Sequence, residues 1–320
     1  MKAYGPLPPM LKGAVQKGAF IKYCPCSPGA VACGYFNLNL QTGCPFGCSY
    51  CILQAYLENK DQGVFYTNYD DLETELRGFM ANHQEVRIGT GELSDSLAYE
   101  SIYPVAARVL ELFRRFPDAV FEFKTKAIAV QALLKVKEPP GNIVVSWSLN
   151  PPQLIRVEEL RTPPLAQRLQ ALAAIQDNGY KIGIHFDPLI LFPNWQKHYR
   201  ELIRHLALVI RPERIAWWSL GALRFPPALK KHIFRHPDSQ LFWGELVQGQ
   251  DGKYRYFKPL RLELFQFVRN EIRSRLSREI PLYLCMEDAD TWQEIFPEFP
   301  AAEEAINHYL YESAMRKSDK

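Results

Sequence analysis

Residues 33–57 read CGYFNLNLQTGCPFGCSYCILQAYL. Tyr35–Thr42 alternates like a strand, and Ser49–Leu57 starts a helix. Between them, Gly43-Cys-Pro-Phe-Gly-Cys-Ser-Tyr-Cys51 sets Cys44, Cys48 and Cys51 in a CxxxCxxC arrangement on a tight loop. Three thiolates so placed can hold three irons of a [4Fe–4S] cluster and leave the fourth iron open to another ligand. Gly43 and Gly47 let the backbone wrap closely. Zinc would prefer four ligands at paired spacings. The chain holds 7 cysteines. All but Cys285 fall between Cys24 and Cys51, a crowding that reads as metal or cluster chemistry rather than a disulfide framework. Cys24, Cys26 and Cys33 could bind a second cluster or metal, although CxC with a distant third cysteine matches no firm ligand spacing; reactive free thiols are the other reading.

Downstream of the loop, short apolar strands alternate with longer helices. Val86–Gly89, Ala119–Thr125, Asn142–Leu149, Lys181–Asp187 and Arg214–Leu220 read as strands. Ile102–Phe113, Ala127–Val136, Leu165–Asn178, Trp195–Ile210 and Ala228–Phe234 read as their helices. With Tyr35–Thr42 this makes six βα units, a parallel sheet with right-handed crossovers. Six units fall short of a closed eight-fold barrel, so the expected fold is α/β, a partial (β/α)6 TIM-like barrel. Residues 1–34 read as an extended N-terminal arm, 35–225 as the barrel and 226–320 as a C-terminal extension. The extension holds a hairpin in Leu241–Phe257, helices over Leu260–Leu276 and Ala301–Met315, and a late strand at Leu282–Met286.

The 320 residues are 47% hydrophobic and 23% charged, which excludes collagen, coiled coil and disorder. The longest apolar runs, such as Leu206–Ile210, are far short of a membrane span, and the first twenty residues show no apolar run of signal-peptide length; a cytoplasmic protein with no membrane contact is expected. Net charge is +3 but uneven: residues 197–280 carry 17 Lys and Arg against 8 Asp and Glu, a net +9 that leaves −6 for the rest. In Lys253-Tyr-Arg-Tyr-Phe-Lys258 the cations Lys253, Arg255 and Lys258 interleave with aromatics, as nucleic-acid surfaces require.

CxxxCxxC after the first strand of a βα series, with aromatic Tyr50 before the last cysteine, resembles the radical S-adenosylmethionine superfamily. Within it, Cys33–Leu57, IGTGELSDSL (Ile88–Leu97), FKTKA (Phe123–Ala127), WSLNP (Trp147–Pro151) and GYKIGIHFDPLILFPNW (Gly179–Trp195) resemble the spore photoproduct lyase group. The resemblance implies that the cluster on Cys44, Cys48 and Cys51 chelates S-adenosylmethionine through its open iron. It implies reductive cleavage to a 5′-deoxyadenosyl radical, and an external electron donor of the flavodoxin or ferredoxin type. By position, Gly89, Thr90, Gly91 and Glu92 form the turn that receives the methionine amino group, and Lys126 approaches the methionine carboxylate. Ser148 and Asn150 are placed to bind carboxylate or ribose, and His185 and Asp187 lie near the adenine.

One position departs from the group. Spore photoproduct lyases carry a hydrogen-donating cysteine within the stretch that here reads Gly91-Glu-Leu-Ser-Asp95, and Glu92 takes its place. Cys285 and Tyr66 are the candidate donors that remain. The expected function is a radical enzyme on a nucleic acid base or nucleotide. The alternatives are the same chemistry on an unrelated substrate, and a non-catalytic iron–sulfur DNA-binding protein.

Overall fold

The computed structural model describes residues 10–57 and 62–316. β1 (Met10–Ala14), β2 (Ile21–Tyr23), β3 (Tyr35–Leu38) and β4 (Gln41–Thr42) precede the cysteine loop, and α1 (Leu53–Tyr56), β5 (Gln62–Tyr66) and α2 (Tyr69–Met80) follow it. Then come β6 (Arg87–Thr90), α3 (Ala106–Arg114), β7 (Val120–Thr125), α4 (Gln131–Leu134), β8 (Ile143–Ser148), α5 (Pro152–Glu158) and α6 (Leu165–Asp177). The alternation ends with β9 (Lys181–Leu189), α7 (Trp195–Ala207) and β10 (Ile215–Ala222). Beyond it lie β11 (Arg224–Phe225), α8 (Pro227–Ile233), β12 (Leu246–Gln248), β13 (Tyr254–Tyr256), α9 (Lys258–Arg275), β14 (Leu282–Leu284), α10 (Ala289–Ile295) and α11 (Glu303–Met315).

Among the described residues the main sheet runs β14-β10-β9-β8-β7-β6-β3-β2. Its neighbours pair in parallel except β2, which is antiparallel to β3. The central strand β8, IVVSWS, is buried at every position, as a strand covered on both faces must be. The sheet is curled into an open half-barrel. One carboxylate shows how tightly: Glu122 on β7 touches Tyr35 on β3, Ser146 on β8, His185 on β9 and Trp217 on β10. Strands at opposite sides of the sheet order reach one side chain only if the sheet wraps round it. The partial barrel expected from the six βα units is therefore the architecture observed.

Several local readings shift. The helix expected from Ile102 starts at Ala106, after Pro104, where Glu100 accepts from the freed Val105 and Ala106 amides at 2.9 and 3.1 Å. The helix expected over Ala127–Val136 shrinks to α4, and that from Ser49 to α1, because the preceding residues are turns tied to neighbouring loops. The arm is more than an extension: β1 pairs with β5, and β2 joins the main sheet. Residues 27–31 then cross from the β2 edge to the β14 edge. Ser27 N donates to Met286 Sδ at 3.3 Å, Val31 N donates to Glu287 O at 2.9 Å, and Ala30 bridges Asp288. α11 closes the amino end of the strands, where Arg87 Nε donates to Asn307 Oδ1 at 3.0 Å. No helix among the described residues is long and apolar enough to cross a membrane.

Candidate active site

The cysteine loop lies at the carboxyl end of the strands, where parallel sheets bind ligands. Gly43 adopts φ +83°, and a Cβ there would stand 2.7 Å from Gln62 O, so only glycine makes this turn. Gly43 N donates to Leu93 O at 2.9 Å, and Ser94 Oγ donates to Gly43 O at 2.6 Å. Asp95 ties the same loop to the end of β7, accepting from Thr125 Oγ1 at 2.5 Å and from the Lys126 amide at 2.6 Å. At the other end of the cysteine loop, Ser49 donates to the buried Glu158 through its hydroxyl and, at 2.9 Å, through its amide to the Glu158 carbonyl. The Glu158 carboxylate also accepts from Ser239 Oγ at 3.0 Å and Gln240 N at 2.5 Å.

Beneath Tyr50 sits a closed ionic network. The Tyr50 hydroxyl donates to Glu159, which also receives Asn150 Nδ2 at 2.9 Å and pairs with Arg168 at 2.5 Å, both charged side chains being fully buried. Burial pushes the Glu159 carboxyl up, but Arg168 and then Lys126 outweigh it and hold it at about 2. The Lys126 ammonium stands 5.7 Å from the Tyr50 ring centroid, and the charges of Cys48 and Glu159 raise its pKa against the pull of burial.

Cys44, Cys48 and Cys51 are all unpaired. Burial raises each thiol, and Asp95 and the other two thiols raise Cys44 further. Desolvated thiols crowded in one another's field are poor thiolates by themselves, and the positive charge of an iron centre relieves that cost. Among the described residues they form no group with ligand atoms all within 4.8 Å, the separation one ion demands; a cluster with several irons spaces its ligands more widely. The amide nitrogens of Asn37 and Asn39 are buried without a partner. By strand alternation they share the inward face of Tyr35, so unspent donors face the barrel interior. The residues present therefore fit a cluster at the mouth with a polar ligand below it.

The floor is the Glu122 network. His185 Nε2 lies 2.8 Å from Glu122 Oε1, Tyr35 donates to Oε2 at 2.6 Å and Trp217 Nε1 donates at 3.0 Å. Gly89 exists for this packing: a Cβ would meet the Tyr35 hydroxyl at 2.1 Å and Glu122 O at 2.5 Å. Thr90 Oγ1 donates to Ser96 Oγ at 2.7 Å, and Ser96 Oγ accepts the Lys124 amide at 2.9 Å. Gly91 has φ +120° beside Lys124. Glu92 is half-buried, with its pKa raised by burial against the pull of Lys124 and Lys22. Asp187 stands with Arg224 at 3.9 Å and Cys285. Burial raises its carboxyl, but Arg224 and Lys124 bring it below its usual value.

The residues expected to hold S-adenosylmethionine thus fall into two groups. Tyr50, Lys126 and Asn150 are brought together beside the thiols, and Arg168 Nη1 holds the Ser148 carbonyl at 3.0 Å. Gly89 and His185 sit in the floor network. Tyr66 lies on β5 with its ring edge-on to Phe20, 6.2 Å between centroids. The three hairpin cations all have partners within the chain: Lys253 Nζ donates to Ser27 Oγ at 3.0 Å, Arg255 pairs with Asp251, and Lys258 reaches Asp288 at 3.3 Å. Reading the sequence missed Glu122, Lys124, Glu159 and Arg168. A signal existed for three of the four, Glu159 being the exception. Glu122 and Lys124 are charges at alternate positions of β7, with Lys126 next in step just past its end, and Arg168 stands on the stripe Leu165, Leu172, Ile175 of α6.

A sequence model of the spore photoproduct lyase family matches residues 22–281. The spore photoproduct lyase of Clostridium acetobutylicum is 25% identical over 268 residues, 81% of this chain and 78% of that protein. That of a Geobacillus species is 27% identical over 248 residues, 74% of this chain and 72% of that protein. A solved spore photoproduct lyase complexed with dinucleoside spore photoproduct superposes with a TM-score of 0.74 at 23% identity, covering 86% of this chain and 82% of that one. A solved spore photoproduct lyase mutant with bound AdoMet and dinucleoside spore photoproduct gives 0.72 at 24% identity, with the same coverage.

Proposed function

The chain belongs to the spore photoproduct lyase family, and from that premise we propose that it is a radical S-adenosylmethionine enzyme of the lyase type that acts on a base of a nucleic acid. The observation that carries this reading is the set of three free thiols, Cys44, Cys48 and Cys51, on a loop pinned over the mouth of a half-barrel. Relatives of this fold hold AdoMet and a dinucleoside photoproduct. A cluster and S-adenosylmethionine held there would supply a 5′-deoxyadenosyl radical, given an electron from an external donor of the flavodoxin or ferredoxin type.

The chain's own residues do the rest. Cys44, Cys48 and Cys51 give up their protons to hold iron. Lys126, kept cationic by Cys48 and Glu159, offers its ammonium to a carboxylate beside the thiols. Asn150 and Glu159 fix the Tyr50 ring that Lys126 faces. The unpartnered amides of Asn37 and Asn39 receive polar atoms inside the barrel.

A nucleic acid strand has a surface to lie on. The loop after α8 is anchored by fully buried Leu241 and by Glu158, one carboxylate away from the cysteine loop, yet it leaves Phe234 66% and Trp243 63% exposed. Lys230, over the Phe234 ring at 6.0 Å, and the exposed Lys231 and Arg235 flank these rings. Aromatic faces among cations suit stacked bases and their phosphates.

Glu92 favours a second reading at the level of outcome. A carboxyl O–H is too strong a bond to return a hydrogen atom as a thiol does, so abstraction at this site ends differently from repair closed at that turn. The test is anaerobic reconstitution, reduction with dithionite and addition of S-adenosylmethionine. Formation of 5′-deoxyadenosine is expected, and its absence overturns the enzyme reading. Conversion of a spore-photoproduct dinucleotide to two thymines supports repair; 5′-deoxyadenosine without that conversion selects another substrate.

A further inference from the structure

Four cysteines remain outside the mouth loop, and the fold gathers them at the seam of the half-barrel. Cys24 and Cys26 follow directly on β2, with Cys24 N donating to Tyr35 O at 2.9 Å and a hydrogen bond between the two free thiols. Cys33 ends the arm, its carbonyl accepting from Arg87. Cys285 ends β14, its amide donating to Leu220 O at 2.9 Å. The arm segment between Cys26 and Cys33 is the one laid along Met286, Glu287 and Asp288, so the contacts that carry it across the seam also bring its cysteines to Cys285. All four are unpaired and half-buried.

We propose that Cys24, Cys26, Cys33 and Cys285 ligate a second iron–sulfur cluster that staples the arm to β14 across the open side of the half-barrel. Four cysteine thiolates are the ordinary ligand set of [2Fe–2S] and [4Fe–4S] clusters. Such a centre is anionic, and cations are in place for it. Arg224 Nη2 lies 4.0 Å from Cys285 Sγ, Arg87 is bonded beside Cys33, and the Lys124 ammonium feels both Cys285 and Cys24. Burial and then Asp187 raise the Cys285 thiol, Arg224 opposes them, and Cys33 and Cys24 raise it further, so these three sulfurs lie in one field. The four sulfurs, like those of the mouth loop, form no group within 4.8 Å, which is wider than a single zinc ion takes. Binding is ligand exchange without oxidation: each thiol releases its proton to solvent as its sulfur bonds to iron. Ligation also withdraws Cys285 from hydrogen donation. With all its protein ligands supplied, this cluster has no open iron for S-adenosylmethionine.

The expected shares rest on the mouth cluster proposed above, but the test reads metal content and not turnover. A Cys44→Ala/Cys48→Ala/Cys51→Ala variant, reconstituted anaerobically with iron and sulfide, is expected to keep roughly one-third to one-half of the wild-type iron and sulfide. Its reduced paramagnetic resonance signal should not respond to S-adenosylmethionine. A Cys24→Ala/Cys26→Ala/Cys33→Ala/Cys285→Ala variant should lose that share and keep the responsive signal. A folded triple variant without iron overturns the proposal, as does a quadruple variant with wild-type iron, or zinc in place of iron on the four thiols. Should the triple variant fail to fold, the iron content of the quadruple variant decides. Failure to form 5′-deoxyadenosine would leave these counts unchanged.

Discussion

Arg168 and Glu159 show what one buried charge pair does for the site. Both side chains are fully buried, and Glu159 also carries Tyr50 and Asn150. Arg168→Met leaves that carboxylate buried and uncompensated, which costs about 3–5 kcal/mol. The expected result is a lower midpoint in chemical denaturation and poorer iron retention on the neighbouring thiols. The same pair sets an acid limit. The folded chain keeps Glu159 ionised down to about 2, whereas its ordinary value is 4.5. Its stabilisation is therefore complete above 4.5 and is lost as pH falls toward 2. Acid unfolding of Glu159→Gln should show a shallower dependence across that window. Lys126→Ala removes a charge-assisted contact, about 1.5–3 kcal/mol, so S-adenosylmethionine should bind roughly tenfold to a hundredfold more weakly by equilibrium titration.

β7 is the element on which the site is built. Its outward Phe121 and Phe123 enter the core while Glu122 and Lys124 face the cavity. β6 lies against it only because Gly89 has no side chain. Gly89→Ala forces a methyl into the Tyr35 hydroxyl and the β7 backbone, an overpacking that costs about 1–3 kcal/mol; thermal melting should register it. The α8 loop is the element that presents aromatic rings beside the mouth. Combined Lys230→Ala and Lys231→Ala should lower the salt slope of single-stranded DNA binding by about 1.4, and Trp243→Ala should weaken binding by about 1–3 kcal/mol. An unchanged slope would remove α8 from the interface. Changes at Lys253 or Arg255, which are bonded within the chain, should act on stability instead.

Across the whole molecule, the proposed chemistry lies at the mouth and the opposite end carries stability. Lys181 enters β9 at its amino end, where its ammonium donates to Glu213 O at 3.0 Å. Burial, with Arg214 and Arg316 nearby, lowers its pKa from 10.5 to about 8. Between about 8 and 10.5 the unfolded chain binds the extra proton, so stability should rise with pH in that window. Lys181→Met should flatten that rise in denaturation midpoints measured at successive pH values.

The sequence alone determined the cysteine loop, the repeating βα units and hence the partial barrel, because local spacing and periodicity carry that information. The roles proposed for Lys126, Tyr50 and Asn150 rest on the same kind of signal: Lys126 and Asn150 stand just past the ends of β7 and β8, and Tyr50 on the cysteine loop. Tertiary structure alone decided what those residues face. The Glu122 hub draws side chains from five strands, and Arg168 meets Glu159 only once α6 packs on the sheet. The hairpin cations, basic in sequence, turned out to be matched by Ser27, Asp251 and Asp288. The arm, read as an extension, supplies β2 and crosses the seam to β14. Contacts between residues more than 200 positions apart leave no local pattern, because they form only when a curled sheet brings its two edges within reach of one loop.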